Sequence, residues 1–148
     1  MLPREHRLTS PRDFRAVTRG GARAGGAVVV VSVLLRPWQE NAPNRSEDTG
    51  ESEERCGWRC GLVVSKAVGN AVVRHRTARR LRHIILGLLR EDPALLPEGQ
   101  QAELVIRALP AVVEADHAML REQVRSGVRR AVQKAQRRSE RGPGRVRS

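Results

Sequence analysis

Lys66-Ala67-Val68-Gly69-Asn70-Ala71-Val72-Val73-Arg74-His75-Arg76-Thr77-Ala78-Arg79-Arg80-Leu81-Arg82, continued by His83-Ile84-Ile85-Leu86-Gly87-Leu88-Leu89-Arg90, decides how the chain is read. Gly69-Asn70 breaks the preceding segment, and the Asn70 side chain is suited to capping a helix that starts at the next residue. That helix is expected from about Ala71 to Arg90, stopping before Pro93 because the residue ahead of a proline avoids helical geometry. At ~100° per residue, Val73, Thr77, Leu81, Ile84, Ile85 and Leu88 share one side. His75, Arg76, Arg79, Arg80, Arg82, His83 and Arg90 share the other, and Arg74 sits at the seam. Such a helix packs by its apolar stripe and turns a basic stripe to water. No Asp or Glu occurs between residues 66 and 90. An ordinary solvated face mixes signs, because like charges four residues apart repel. Keeping Arg76–Arg80 and Arg79–His83 without a carboxylate implies an external anion.

Toward the N-terminus, Arg59-Cys60-Gly61-Leu62-Val63-Val64-Ser65 reads as a strand in which Gly61 marks close packing or a bulge. Ahead of it, residues 39–55 are acidic, polar and without periodicity, as expected of a long mobile connection between strands. Ala27 to Leu35, β-branched at most positions, is a buried strand closed by Pro37. Near the start, Ser10-Pro11-Arg12-Asp13 has the form of a helix N-terminus, with Ser10 as cap, Pro11 at the first helical position and Asp13 completing a capping box. Gly20-Gly21 ends this helix, which carries Phe14, the one Phe of the chain. Toward the C-terminus, Glu103 to Arg107 is a further strand. Asp116 then caps a last helix with Leu120, Val124, Val128 and Ala131 at helical spacing. Residues 137–148 are expected as a disordered basic tail, leaving residues 1–136 as one domain. The strands on either side of the central helix are able to pair in parallel, which makes the whole a two-layer α/β sandwich of the α+β class.

Composition narrows the function. In 148 residues, 28 Lys+Arg oppose 16 Asp+Glu, for a formal net charge of +12. A balance this basic favours a polyanionic partner, since Lys and Arg displace condensed counterions from phosphates. Only Lys66 and Lys134 are lysines. Guanidinium forks match phosphate and base edges better than an ammonium does. No stretch reaches the roughly 18 apolar residues of a membrane helix, and the N-terminus has no signal-peptide pattern, so a cytoplasmic protein with no membrane partner is expected. Cys56 and Cys60 are too few for a disulfide scaffold and read as reduced thiols. Their loose spacing, and the placement of His75 and His83 on a basic surface, argue against zinc. Ser65, His75 and Asp116 are not tied into a triad by anything in the sequence, and no nucleotide-binding glycine loop is visible. No catalytic residues and no metal ligands are therefore assigned.

The string from Lys66 to Arg82 resembles the signature of the bacterial ribonuclease P protein subunit, roughly K-K-x-G-N-A-V-x-R-N-R-x-K-R-x-x-R. Leu8, Asp13-Phe14, Val17 and Gly20, the strand from Arg59 to Ser65, and Leu104 to Arg107 followed by Pro110 fit the same family in order. The resemblance covers about residues 7 to 133 and leaves out the acidic insertion and the tail. It implies an element order αβββαβα with a left-handed crossover through the basic helix, similar to a domain of a ribosomal protein. It further implies binding to a catalytic RNA and removal of the 5′ leader of precursor tRNA, with magnesium held mainly by RNA and the protein as a monomer in the complex. On this resemblance Lys66, Asn70, Arg74, His75, Arg76, Arg79, Arg80 and Arg82 meet RNA, and Phe14 belongs to a cleft for the leader. His75 stands where the family usually has Asn, Ala67 and Ala78 replace common lysines, and Thr18 replaces a frequent second aromatic. Leader binding is therefore expected to lean on charge rather than stacking, which contributes ~1–3 kcal/mol per base where it exists. Two other readings remain on the residues alone: a ribosome-associated or structured-RNA-binding protein unrelated to tRNA processing, and a nuclease acting through its own side chains.

Overall fold

A computed structural model describes residues 6–37 and 57–141. The expected acidic connection at 39–55 and the final residues 142–148 lie outside the described residues. The elements run α1 (Pro11–Gly20), β1 (Ala22–Gly25), β2 (Val29–Pro37), β3 (Trp58–Val63), α2 (Ala71–Glu91), β4 (Gln100–Ala108) and α3 (His117–Arg141), with 3-10 turns at Pro93–Leu95 and Pro110–Glu114. The order is αβββαβα. The strands form one sheet in the order β1-β2-β4-β3. β1/β2 and β2/β4 are antiparallel, whereas β3 and β4 are parallel and joined through α2.

The period-two alternation of the strands sorts side chains onto two faces. Val29, Val31 and Val33 of β2, Cys60 of β3, and Leu104 and Ile106 of β4 join Leu81, Ile85 and Leu88 of α2 and Leu120, Val124 and Val128 of α3 in the main core. Burying each Leu, Ile or Val contributes ~1.5–3 kcal/mol, so a mainly aliphatic layer, joined by Trp58 of β3, holds α2 and α3 to one face. The opposite face carries a smaller cluster of Leu8, Val17 and Val105, flanked by Phe14, Leu34 and Val63. α1 lies there, so the two layers formed by the sheet with α2 and α3 gain a partial third. Residues 6–8 run beside β3, with a parallel bridge between Arg7 and Cys60, Leu8 N–H donating to the Cys60 carbonyl at 3.1 Å, and the His6 ring stacked on Trp58 at 3.9 Å.

Three local expectations change. The Ser10 hydroxyl makes no cap bond; only its carbonyl engages the helix, accepting from Phe14 N–H at 3.0 Å, and Pro11 presets the first turn in its place. β1 had no visible signal, because Ala22-Arg23-Ala24-Gly25 contains no β-branched or aromatic residue. It is a strand because β2 supplies its ladder, with Ala22 opposite Val33 and Ala24 opposite Val31. The tail does not begin at residue 137: α3 continues to Arg141. Arg138 explains why, donating to the Gly20 and Gly21 carbonyls at 3.4 and 3.1 Å and tying those turns to the end of α1.

Candidate nucleic-acid interface

α2 begins where Asn70 Oδ1 accepts from Val73 N–H at 3.0 Å, so the orphan donors of the first turn are met by a short polar side chain. From there Thr77, Leu81, Ile84, Ile85, Leu88 and Leu89 are buried against the sheet and α3. The division between apolar and basic sides then fixes what faces water. His75, Arg76, Arg79, His83 and Arg90 are exposed, and so are Lys66 and Asn70 in the entry turn. The first turn of α2 contains no acidic residue. Among the described residues, the salt bridges are Arg36–Glu103, Arg121–Glu91 and Arg125–Asp92, so no arginine between residues 74 and 90 is paired with a carboxylate. The basic stripe is a field of unneutralised guanidinium groups on a rigid support, which is what phosphate binding requires.

Not all of the expected RNA-facing residues are equal. Arg80 is half-buried, and its Nη2 donates to the Ala115 carbonyl at 2.7 Å, bracing the turn ahead of α3. Arg74 is also half-buried, and its Nε is enclosed without a hydrogen-bond partner. An unmet buried N–H costs ~1–3 kcal/mol, which an acceptor from outside would recover. Arg82 is half-buried and lines a cavity of about 320 Å³ with Arg7, Leu8, Thr9, Phe14, Cys60, Gly61 and Leu62. Phe14 and the arginine helix, separate in the sequence, thus meet at one cavity.

Gly61 explains how. A Cβ at residue 61 would fall 2.2 Å from Phe14 Cζ, so the tip of the ring reaches the backbone of β3 only because no side chain intervenes. Around the cavity the α1 face of the sheet is basic as well. Arg59 and Arg107 stand at alternate positions of β3 and β4 in line with Gly61 and Val105. Among the described strand residues of that face the carboxylate is Glu103, which is only 2% exposed and is held by Arg36 Nε at 2.7 Å, so it does not oppose an anion. Arg7, Thr9 and Arg59 were not picked out from sequence; period-two alternation through Gly61 is the signal that could have found Arg59. Cys60 is buried on the core side, and burial pushes its thiol up to about 12, which leaves it neutral and unreactive. No group of three or more His, Cys, Asp or Glu placed to hold a metal ion occurs among the described residues. No helix among the described residues is long and apolar enough to cross a membrane.

Comparison with known proteins agrees with this geometry. A family model described as Ribonuclease P matches residues 2–132. The chain is 46% identical over 129 residues to a ribonuclease P protein component of Corynebacterium glutamicum, covering 86% of this chain and 92% of that one. It is 45% identical over 135 residues to the corresponding protein of Nocardia farcinica, covering 88% and 83%. Among solved structures, the RNase P proteins of Staphylococcus aureus and Thermotoga maritima share the fold. The first has a TM-score of 0.60 at 17% identity, over 85% of this chain and 94% of that one. The second has a TM-score of 0.59 at 21% identity, over 84% and 96%.

Proposed function

Since the chain belongs to the ribonuclease P protein family, we propose that α2 holds the RNA subunit of the ribonucleoprotein while the Phe14 cavity receives the 5′ leader of precursor tRNA. The family role is that of the protein component of a ribonucleoprotein endoribonuclease acting in tRNA 5′ processing. Membership favours this role over a ribosome-associated or otherwise unrelated RNA binder. Membership equally favours it over a nuclease acting through its own side chains.

The observation that carries the division of labour is the exposure of Arg76 and Arg79, without carboxylate partners, on a helix whose other face is locked into the core. Lys66, Asn70, Arg74, His75, Arg76 and Arg79 present charge and donors to the RNA backbone. Arg80 serves the same surface indirectly, by fixing the turn at Ala115. Arg82 stands between the two RNAs, on the helix but at the cavity. The protein lowers repulsion between substrate and RNA subunit, and the bond is broken by the RNA with magnesium that RNA ligands hold. The complex works in the cytoplasm with the protein as a monomer.

Reconstitution tests this. Purified protein added to a ribonuclease P RNA should restore 5′-leader cleavage at magnesium concentrations where the RNA alone is slow. Failure to rescue, or cleavage by the protein without RNA, would overturn it.

A further inference from the structure

A second strongly basic surface lies across the molecule from α2. The sheet order places α2 over the β3 side, whereas the opposite edge strand is β1. At that edge three elements distant in sequence converge. Lys134 Nζ of α3 donates to the Arg23 carbonyl of β1 at 2.8 Å. Arg138 of α3 donates to the Gly20 and Gly21 carbonyls at the end of α1. Arg23 reaches the Thr18 carbonyl of α1 at 3.4 Å. Arg19, Arg23, Arg130, Lys134 and Arg137 are all exposed there. At ~100° per residue, Arg130, Lys134 and Arg137 fall within a narrow arc of α3, one turn apart.

The two halves of α3 differ in how their charges are treated. In the first half, Arg121 and Arg125 pair with Glu91 and Asp92 at the end of α2. From residue 123 to residue 138 the helix contains no Asp or Glu. No described carboxylate pairs with Arg19, Arg23, Arg130, Lys134 or Arg137. Arg19 and Arg137 engage no described acceptor at all, and Arg130 reaches only the Ser126 carbonyl of its own turn, at 3.4 Å. Repulsion among these cations is accepted although the same helix pairs Arg121 and Arg125 with carboxylates. Arg23, Lys134 and Arg138 are also held by backbone carbonyls of neighbouring elements, which fixes where the charge stands.

We propose that this β1-edge surface is a second RNA-backbone site, which grips a segment of structured RNA separate from the one held by α2. The protein then bridges two RNA segments across its sheet, with the leader cavity on the face between them. The proposal rests on the RNA-subunit reading of α2 for its context and on a different set of residues for its content.

The test compares two variants of the full chain, Arg19→Gln/Arg130→Gln/Arg137→Gln and Arg76→Gln/Arg79→Gln, in complex with ribonuclease P RNA across a range of salt. Each phosphate contact adds roughly −0.7 to −0.9 to the slope of log affinity against log salt. The triple variant should lose about 2 units of slope and at least about tenfold in affinity at moderate salt, in addition to the loss in the α2 variant when the two are combined. Arg→Lys at the same three positions should keep most of the slope, since phosphate is satisfied by charge. An unchanged slope and affinity in the triple variant, with the α2 variant impaired, would sink the second site and leave the α2 reading standing. No change in the α2 variant would sink that reading instead. The substituted side chains are exposed, and unchanged circular dichroism and Tm separate loss of contact from loss of fold.

Discussion

Phe14 rests on β3 because residue 61 has no side chain, and that contact is where packing and function meet in this molecule. Gly61→Ala places a methyl 2.2 Å from the ring, so the ring must swing out of the cavity. Overpacking of this kind costs ~1–3 kcal/mol. The expected result is a lower Tm together with reduced preference of the holoenzyme for substrates that carry a leader. In a Phe14→Ala background the same substitution should cost little, because the clashing group is gone; additive losses in that double-mutant cycle would separate Gly61 from Phe14. Cys60 gives a pH prediction. Its native thiol titrates at about 12 and its unfolded thiol near 9.0, because burial penalises the thiolate. The folded value is the higher one, so the contribution to stability is full below about pH 9 and is lost as pH rises toward 12. Tm should fall through that window, and Cys60→Ala should flatten the fall. Iodoacetamide should leave Cys60 unmodified at neutral pH until the protein is unfolded.

At the scale of elements, α2 separates two kinds of arginine that its sequence presents as one stripe. Arg80 donates to the Ala115 carbonyl, whereas Arg79, one residue earlier, is exposed and unpaired. A hydrogen bond from a charged donor is worth ~1.5–3 kcal/mol, less where water screens it. Arg80→Gln should therefore lower stability by about 1–2 kcal/mol in urea unfolding and change the salt slope of RNA binding little. Arg79→Gln should do the reverse, and identical behaviour of the two would refute the distinction. Helical periodicity could not show this, because it reports a direction around an axis and not what waits there. The apolar side of α2, its Asn70 cap and the parallel pairing of its flanking strands were legible, since each follows from local spacing. β1 was not, as a strand of Ala and Gly exists only through its neighbour's ladder. The bracing of the last turns of α3 was equally hidden, because Arg138 finds carbonyls that lie 118 and 117 residues earlier. Arg82 beside Phe14 is the same lesson for the site: the residues were readable, and their meeting depended on residues 7–9 running along β3.

At the scale of the whole molecule, the acidic stretch between β2 and β3 raises the question of whether the sheet needs it. Pro37 is paired with Gln100 and Trp58 with Ala102, so β2 ends and β3 begins at the same end of the sheet, on either side of β4. Two strand spacings of ~4.8 Å and an offset of two residues put these points roughly 12 Å apart. Removing residues 40–54 leaves five residues between Pro37 and Trp58, and an extended chain spans ~3.3–3.6 Å per residue, so the shortened connection still reaches. Loop shortening changes closure entropy by only ~0.6 kcal/mol per halving of length. The removed residues hold six carboxylates and one guanidinium, so the formal net charge rises from +12 to +17. The deletion should leave Tm within a few degrees and leave RNA affinity near normal at moderate salt. At low salt, where the Debye length grows to ~30 Å, association with RNA should be faster than for the full chain. A shortened protein that unfolds, or that binds RNA more weakly, would show that the acidic segment contributes to the fold or to the interface rather than merely linking two strands.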